Sequence, residues 1–142
     1  MALKTRKESG QALILFTILV PIIAIAGMAL LDYSVALLRT QELSSAADLA
    51  AHAGAQEVTV GADGALTMKS DAASAVAAYF NAQAPSYAQL TAVSCGVQEG
   101  VPACSVEAQT STPGFLGALL PSRPITVTAT GYLVQGVTRG EQ

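Results

Sequence analysis

The sequence predicts an α+β chain: a long amino-terminal transmembrane helix that continues into a stalk, then a small antiparallel β-sheet head with one short helix. Three observations predict it. Residues 12–31 are apolar or small throughout, except for Thr17. Ala-rich, helix-favouring sequence then continues to about residue 56 with no proline or turn cluster to end it. The last third changes to a two-residue alternation rich in Val and Thr.

Residues 12–31 have the length and composition of a membrane span. At about 1.5 Å rise per residue, twenty helical residues cover roughly the 30 Å hydrocarbon thickness of a bilayer. Lys4, Arg6 and Lys7 against Glu8 give residues 1–11 a net charge of +2. Residues 32–142 carry four basic and nine acidic side chains, net −5, which with +2 makes the −3 of the whole chain. Basic residues flanking a span stay in the cytoplasm, so residues 1–11 are expected as a cytoplasmic basic leader and the remainder as an extracytoplasmic passenger. Cys95 and Cys104, the only cysteines, then lie in an oxidising compartment where a disulfide persists.

Residues 32–56 are expected as an extracytoplasmic helical stalk. One helix from about Gly10 to Gln56 would be roughly 70 Å long. Ala46, Ala50 and Gly54, like Ala47, Ala51 and Ala55, recur every four residues and form rows of small side chains where another helix can approach closely. The alternative is that alanine simply favours helix.

Residues 57–142 are expected as a small α+β head. Gly61 and Asp63-Gly64 read as a turn and a break. Ser70 or Asp71 is placed to cap a helix reaching about Ala82, with Ala72, Val76 and Phe80 on one face and Pro85 beyond its end. Three strands follow, at about 90–97, 103–111 and 124–134. A hairpin centred on Glu99-Gly100 pairs Cys95 with Cys104, Val93 with Val106 and Thr91 with Ala108. That register makes the cysteines a cross-strand disulfide, whose loop of about ten residues stabilises a small core by roughly 2–3 kcal/mol. In the third strand Ile125, Val127, Ala129 and Leu133 share one side, and Thr126, Thr128 and Thr130 the other. The apolar run around Phe115, residues 113–121, either packs beneath the sheet or is an exposed contact patch, and the scarcity of aromatics favours packing.

Composition limits what the head can do. About thirty of 142 residues serve the leader and span, which leaves room for one small domain. Aromatic content is 5% with no Trp, so the head is expected to lean on partners. His52, the single histidine, follows Asp48 by four residues on the stalk, but no nucleophile is placed to complete a relay. Eight residues separate the two cysteines, and the histidine belongs to another element, which argues against a metal site. Gly61-Ala62-Asp63-Gly64 lacks the Lys-Ser or Lys-Thr of a phosphate loop, and Asn81 precedes Ala-Gln, which is no glycosylation acceptor. Four scattered basic residues offer no nucleic-acid footprint. The expectation is a non-enzyme with no cofactor, small-molecule substrate or nucleic-acid partner.

Two blocks go beyond generic anchoring: Gly10-Gln11-Ala12, and the run from Leu43 through Ala46-Ala47-Asp48 and His52-Ala53-Gly54-Ala55. With Pro21, Gly27 and Asp32 between them, they resemble the amino-terminal signature of TadE/TadG-like proteins of tight-adherence (Flp) pilus assembly, over about residues 8–56. The resemblance implies a pilin-like, single-pass subunit of the bacterial inner membrane, with its carboxyl-terminal part outside. It also implies membrane lipid and other pilin-like or Tad-system subunits as partners, in homo- or hetero-oligomers, and a structural role in attachment machinery that includes incorporation in a surface pilus. Class IV pilin precursors are cut after a glycine, which makes Gly10 and Gln11 the candidate processing point. They carry Glu five residues into the mature chain, where this sequence has Leu15, and that departure favours an uncleaved anchor.

A second reading is a secreted or surface binding protein whose signal peptide is removed after Ala26, at Ala24-Ile25-Ala26. Against it, apolar residues 28–31 prolong the span. The mass of the mature amino terminus separates these readings. An intact start is expected for the anchor; a start at Gln11 would indicate pilin-type processing, and a start at Gly27 would sink the anchor reading.

Overall fold

The apolar and Ala-rich halves of the amino-terminal region join in a single helix, α1 (Arg6–Ala55), fifty residues long with Pro21 inside it. At about 1.5 Å per residue it extends roughly 75 Å. The structure, a computed structural model, describes residues 6–62, 64–112, 114 and 122–133. After α1 come β1 (Val58–Val60), β2 (Leu66–Met68), α2 (Ala72–Gln83), β3 (Ala88–Gln98), β4 (Val101–Ser111) and β5 (Pro124–Tyr132). This is the α+β arrangement expected from the sequence, a long helix followed by an antiparallel sheet head.

The sheet has the order β3-β4-β5, antiparallel throughout. Glu99 and Gly100 both take positive φ, 52° and 83°, which is what a two-residue hairpin turn between right-twisted strands requires. Cys95 lies opposite Cys104 and is disulfide-bonded to it, and Val93 lies opposite Val106. The expected pairing of Thr91 with Ala108 is corrected: Leu90 takes that place, because the register shifts between Leu90 and Ala92. The bulge changes which residues face inward, from Ala88 and Leu90 to Val93 and Cys95, so both ends of β3 present apolar groups to one core. Thr91, turned outward, donates its hydroxyl to the Glu107 carbonyl at 2.9 Å.

Residues 58–60 and 66–68 form a second sheet where the sequence suggested only a break. β1 and β2 pair antiparallel, with Thr59 opposite Thr67 and their hydroxyls 2.9 Å apart. Strands of three residues are too short to show a period. α2 follows, with Asp71 at its N-cap position, yet the Asp71 side chain makes no capping bond. Ser74 Oγ donates to the Asp71 carbonyl at 2.6 Å. Ala72, Val76 and Phe80 form the buried face of α2, as their spacing predicts. Ala84 is already extended ahead of Pro85, which ends the helix. The segment around Phe115, residues 113 and 115–121, and Val134 lie outside the described residues.

The core forms where the last turns of α1 cross the sheet. Leu43, Ala47, Ala50 and Ala51 are fully buried, packed with Val76 and Phe80 of α2, Cys104, Val106 and Ala108 of β4, and Ala129 of β5; Ala55 is fully buried as well. The approach is close enough that a Cβ on Gly131 would collide with the backbone of Ala51 and His52. A Cβ on Gly54 would run into the Val76 side chain and lie 2.9 Å from Cys104 Sγ. Gly131 therefore completes the inward face of β5, between Ala129 and Leu133, because only glycine leaves room there for a helix backbone.

Polar contacts fix α1 where it enters the head. Arg39 donates to the Ser111 carbonyl at 2.6 Å, and its guanidinium carbon sits 4.5 Å from the centre of the Tyr87 ring. The Tyr87 hydroxyl donates to the Glu42 carboxylate, and Thr110, almost fully buried, donates to the Tyr87 carbonyl at 3.2 Å. The hydrogen bond to Glu42, with partial desolvation and the carboxylate charge, raises the Tyr87 phenol above its ordinary pKa. Beyond the far end of α1, Lys69 pairs with Glu57 at 2.6 Å, and that bond raises the lysine.

Two outcomes test this packing. Gly131→Ala is expected to destabilise the head by about 1–3 kcal/mol, read by thermal unfolding, since the helix must retreat from the strand; an unchanged melting temperature would contradict the close approach. Both raised groups contribute stability that is complete below their ordinary values, about 10 for the phenol, and is lost as pH rises through their higher folded values. Tyr87→Phe should therefore cost about 1 kcal/mol or less at neutral pH and reduce the alkaline loss. An identical alkaline slope in the variant would remove the phenol's part.

Candidate functional site

The candidate functional element is α1, which changes environment along its length. Its amino-terminal part, within Gly10–Ala55, contains an apolar window of mean hydropathy 2.7, none of it buried by the rest of the protein. Leu13, Ile14, Leu15, Phe16, Ile18 and Ile23 are among its exposed side chains, distributed around the helix. A helix that is apolar on every side belongs in a protein core or a bilayer, and none of the described residues forms a core around this one. It is long and apolar enough to serve as a single-pass membrane anchor. Its polar groups are turned onto the backbone: Thr17 Oγ1 donates to the Leu13 carbonyl and Ser34 Oγ to the Leu30 carbonyl, each at 2.8 Å. Gly10 and Gln11 are exposed residues inside the helix, before the most apolar stretch.

The carboxyl-terminal part of α1 has the opposite character. Ala46, Ala47, Ala50, Ala51, Gly54 and Ala55, whose rows suggested a surface for another helix, are all buried against the chain's own head. Small residues at four-residue spacing admit a helix or a sheet, and here both come close: Val76 of α2 and Cys104 of β4 meet Gly54, and Gly131 of β5 meets the backbone at Ala51. What α1 leaves outward at this level is mostly polar: Gln41, Ser45, Asp48 and His52, with Leu49 half exposed.

The structure gives these side chains no catalytic arrangement. Asp48 and His52 share the solvent face. Among the described residues no group of three or more His, Cys, Asp or Glu side chains is placed to hold a metal ion, and both cysteines are used in the disulfide. No buried side-chain nitrogen or oxygen among them lacks a hydrogen-bond partner, so none marks a polar ligand site. A shallow polar groove lies at the sheet end, lined by Tyr87, Gln89, Gln109, Thr110, Ser111 and Pro124, beside the Arg39 contact. Sequence reasoning missed Gly131 and the Arg39–Tyr87–Glu42 cluster. The first had a readable signal, a glycine inside an alternating strand; the second joins residues 45 positions apart and had none.

No curated protein and no solved structure matches the chain. Over residues 10–57, about a third of its length, the sequence matches the family model of TadE/G-like Flp pilus-assembly proteins, a stretch that begins at the exposed apolar helix, ends just past Ala55 and supports a pilus-related role.

Proposed function

We propose that the protein is a non-enzymatic, membrane-anchored, pilin-like subunit of a bacterial tight-adherence (Flp-type) pilus assembly or secretion system. One observation carries this reading: a single uninterrupted helix is wholly exposed and apolar at one end and forms the core of a disulfide-stapled head at the other. The anchor and the head are thereby one mechanical unit. The basic residues before the span favour an amino terminus in the cytoplasm of a single-pass inner-membrane protein. The Cys95–Cys104 disulfide supports a head on the extracytoplasmic side, where such bonds persist.

The partners are membrane lipid around residues 12–31 and other pilin-like or Tad-system membrane subunits, in homo- or hetero-oligomers. With the Ala46–Ala50–Gly54 and Ala47–Ala51–Ala55 rows occupied internally, contacts between subunits fall to the span and to the outer surfaces of the head. The absence of Glu at the fifth position after Gly10 favours an anchor that is not processed between Gly10 and Gln11, one that remains in the assembly complex. No observation favours release after Ala26, which lies within continuous α1.

Protease added to spheroplasts is expected to digest the head and leave a membrane-embedded fragment containing residues 12–31. A head that stays intact until the membrane is lysed would contradict the orientation. In a host carrying the pilus system, the full chain should co-purify with other membrane subunits after mild detergent extraction, and recovery of the chain alone would count against the assembly role.

A further inference from the structure

Two contacts between α1 and β4 fix which end of the sheet faces the membrane. Gly54 meets Cys104, and Arg39 reaches the Ser111 carbonyl. The stretch from Arg39 to Gly54 covers about 22 Å of helix, and that from Cys104 to Ser111 about 23 Å of strand. β4 therefore runs antiparallel to α1 and nearly along its axis. The end of the sheet where Ser111 pairs with Pro124 points toward residues 12–31, and the Glu99-Gly100 turn points away.

The helix also sets the distance. Arg39 follows Leu31 by roughly 12 Å of helix, and the headgroup layer of a bilayer fills roughly 5–8 Å of that. Helix side chains lean toward the amino terminus, which brings the Arg39 guanidinium lower still. Tyr33, Leu37 and Leu38, all exposed, fill the interval with groups that suit a membrane interface. What covers this end of the sheet is then the surface of the bilayer that holds α1.

The chemistry there suits an anionic headgroup. The Tyr87 ring and the bond to Ser111 hold Arg39 in place, and that bond takes one of the five N–H donors of its guanidinium. The adjoining polar groove adds the amides of Gln89 and Gln109 and the hydroxyl of Ser111. Arg123, exposed, directly precedes Pro124 at the rim of that groove. The acids at this level are Glu42, which accepts the Tyr87 hydroxyl, and Asp32 at the edge of the apolar segment. The other described charges, Asp48, Glu57, Lys69, Asp71, Glu99 and Glu107, lie farther from the span and are mostly acidic. An anionic surface attracts the two arginines and repels the rest of the head.

Resting on the reading of residues 12–31 as a span, we propose that the Arg39–Arg123 end of the sheet docks on the bilayer that holds α1. The two guanidiniums, with the amide and hydroxyl donors of the groove, bind the phosphates of anionic phospholipid in the leaflet they face. Docking sets the height and tilt of the head above the membrane.

The test uses the full chain, isotope-labelled, in nanodiscs of phosphatidylcholine alone or mixed with phosphatidylglycerol. A trace of lipid with a nitroxide headgroup broadens the signals of nearby amides. In the mixed discs the amides of residues 87–89 and 109–111 should broaden and those of residues 98–101 should not, and the effect should weaken in phosphatidylcholine alone. Arg39→Gln and Arg123→Gln should each lower the ratio of docked to undocked heads roughly fivefold, the scale of one basic side chain at an anionic surface. Arg123→Gln is the discriminating variant, because Arg39 also braces α1 against β4, whereas a change at exposed Arg123 should leave the melting temperature as it is. Equal broadening in both lipids, or broadening untouched by Arg123→Gln, would overturn the proposal, since the helix alone would then hold the head there. Displacement by inorganic phosphate, at an ionic strength where chloride has no effect, would assign the groove to a free anion and overturn it too. Wild type extracted by alkaline carbonate would overturn the span as well; a chain retained in the membrane with equal broadening in the two lipids removes the docking alone.

Discussion

The rest of the structure depends on the backbone-to-backbone approach of α1 and β5 at Gly131. With no side chain between Gly131 and the Ala51–His52 peptide, the helix sinks onto the sheet far enough for a row of alanines to reach the core. Among the described residues the largest fully buried side chains are Phe80, Leu43, Val76, Val106, Pro102 and Cys104. A core of this composition closes only at short range, where methyl groups meet methyl groups and dispersion contacts are complete. The disulfide acts in the same place: it ties β3 to β4 and presents Cys104 Sγ to the space left by Gly54.

That contact changes what the long helix is for. The head reaches back along the helix of residues 32–56 as far as Arg39, which is bonded to the end of β4. Arg39 lies only eight positions after Leu31, roughly 12 Å of helix. The head therefore sits close above the apolar segment, and the short intervening part carries Tyr33, Leu37 and Leu38 exposed. Arg39, Tyr87 and Glu42 brace the helix at the point where it leaves the core. Between Leu31 and Arg39 the helix is continuous, with neither glycine nor proline in that stretch.

Much of this could be read from the sequence, and the exceptions have physical causes. The long apolar helix, the continuity of α1, the buried face of α2 and the Cys95–Cys104 register each rest on local composition, a local period or a strict pairing rule, and those survive folding. The β1–β2 hairpin was hidden because three residues hold too little alternation, so its turn glycines read only as a break. The bulge at Thr91 was hidden because an inserted residue is defined by the partner strand. The alanine rows were visible, but their partner was not, since small residues state how closely something approaches and leave open whether it is a helix or a sheet. Gly131 held the missing half of that information. The Arg39–Tyr87–Glu42 cluster depends on tertiary placement alone.

The central claim is that the last turns of α1 belong to the head's core while the first belong to the membrane. Hydrogen–deuterium exchange of the full chain in lipid nanodiscs tests it most directly. Amides of residues 43–55 should exchange as slowly as those of β4 and be released together with them when the head is unfolded, with residues 12–31 remaining protected by lipid. Fast exchange at 43–55 beside a protected sheet, or release of that segment before β4, would contradict the account.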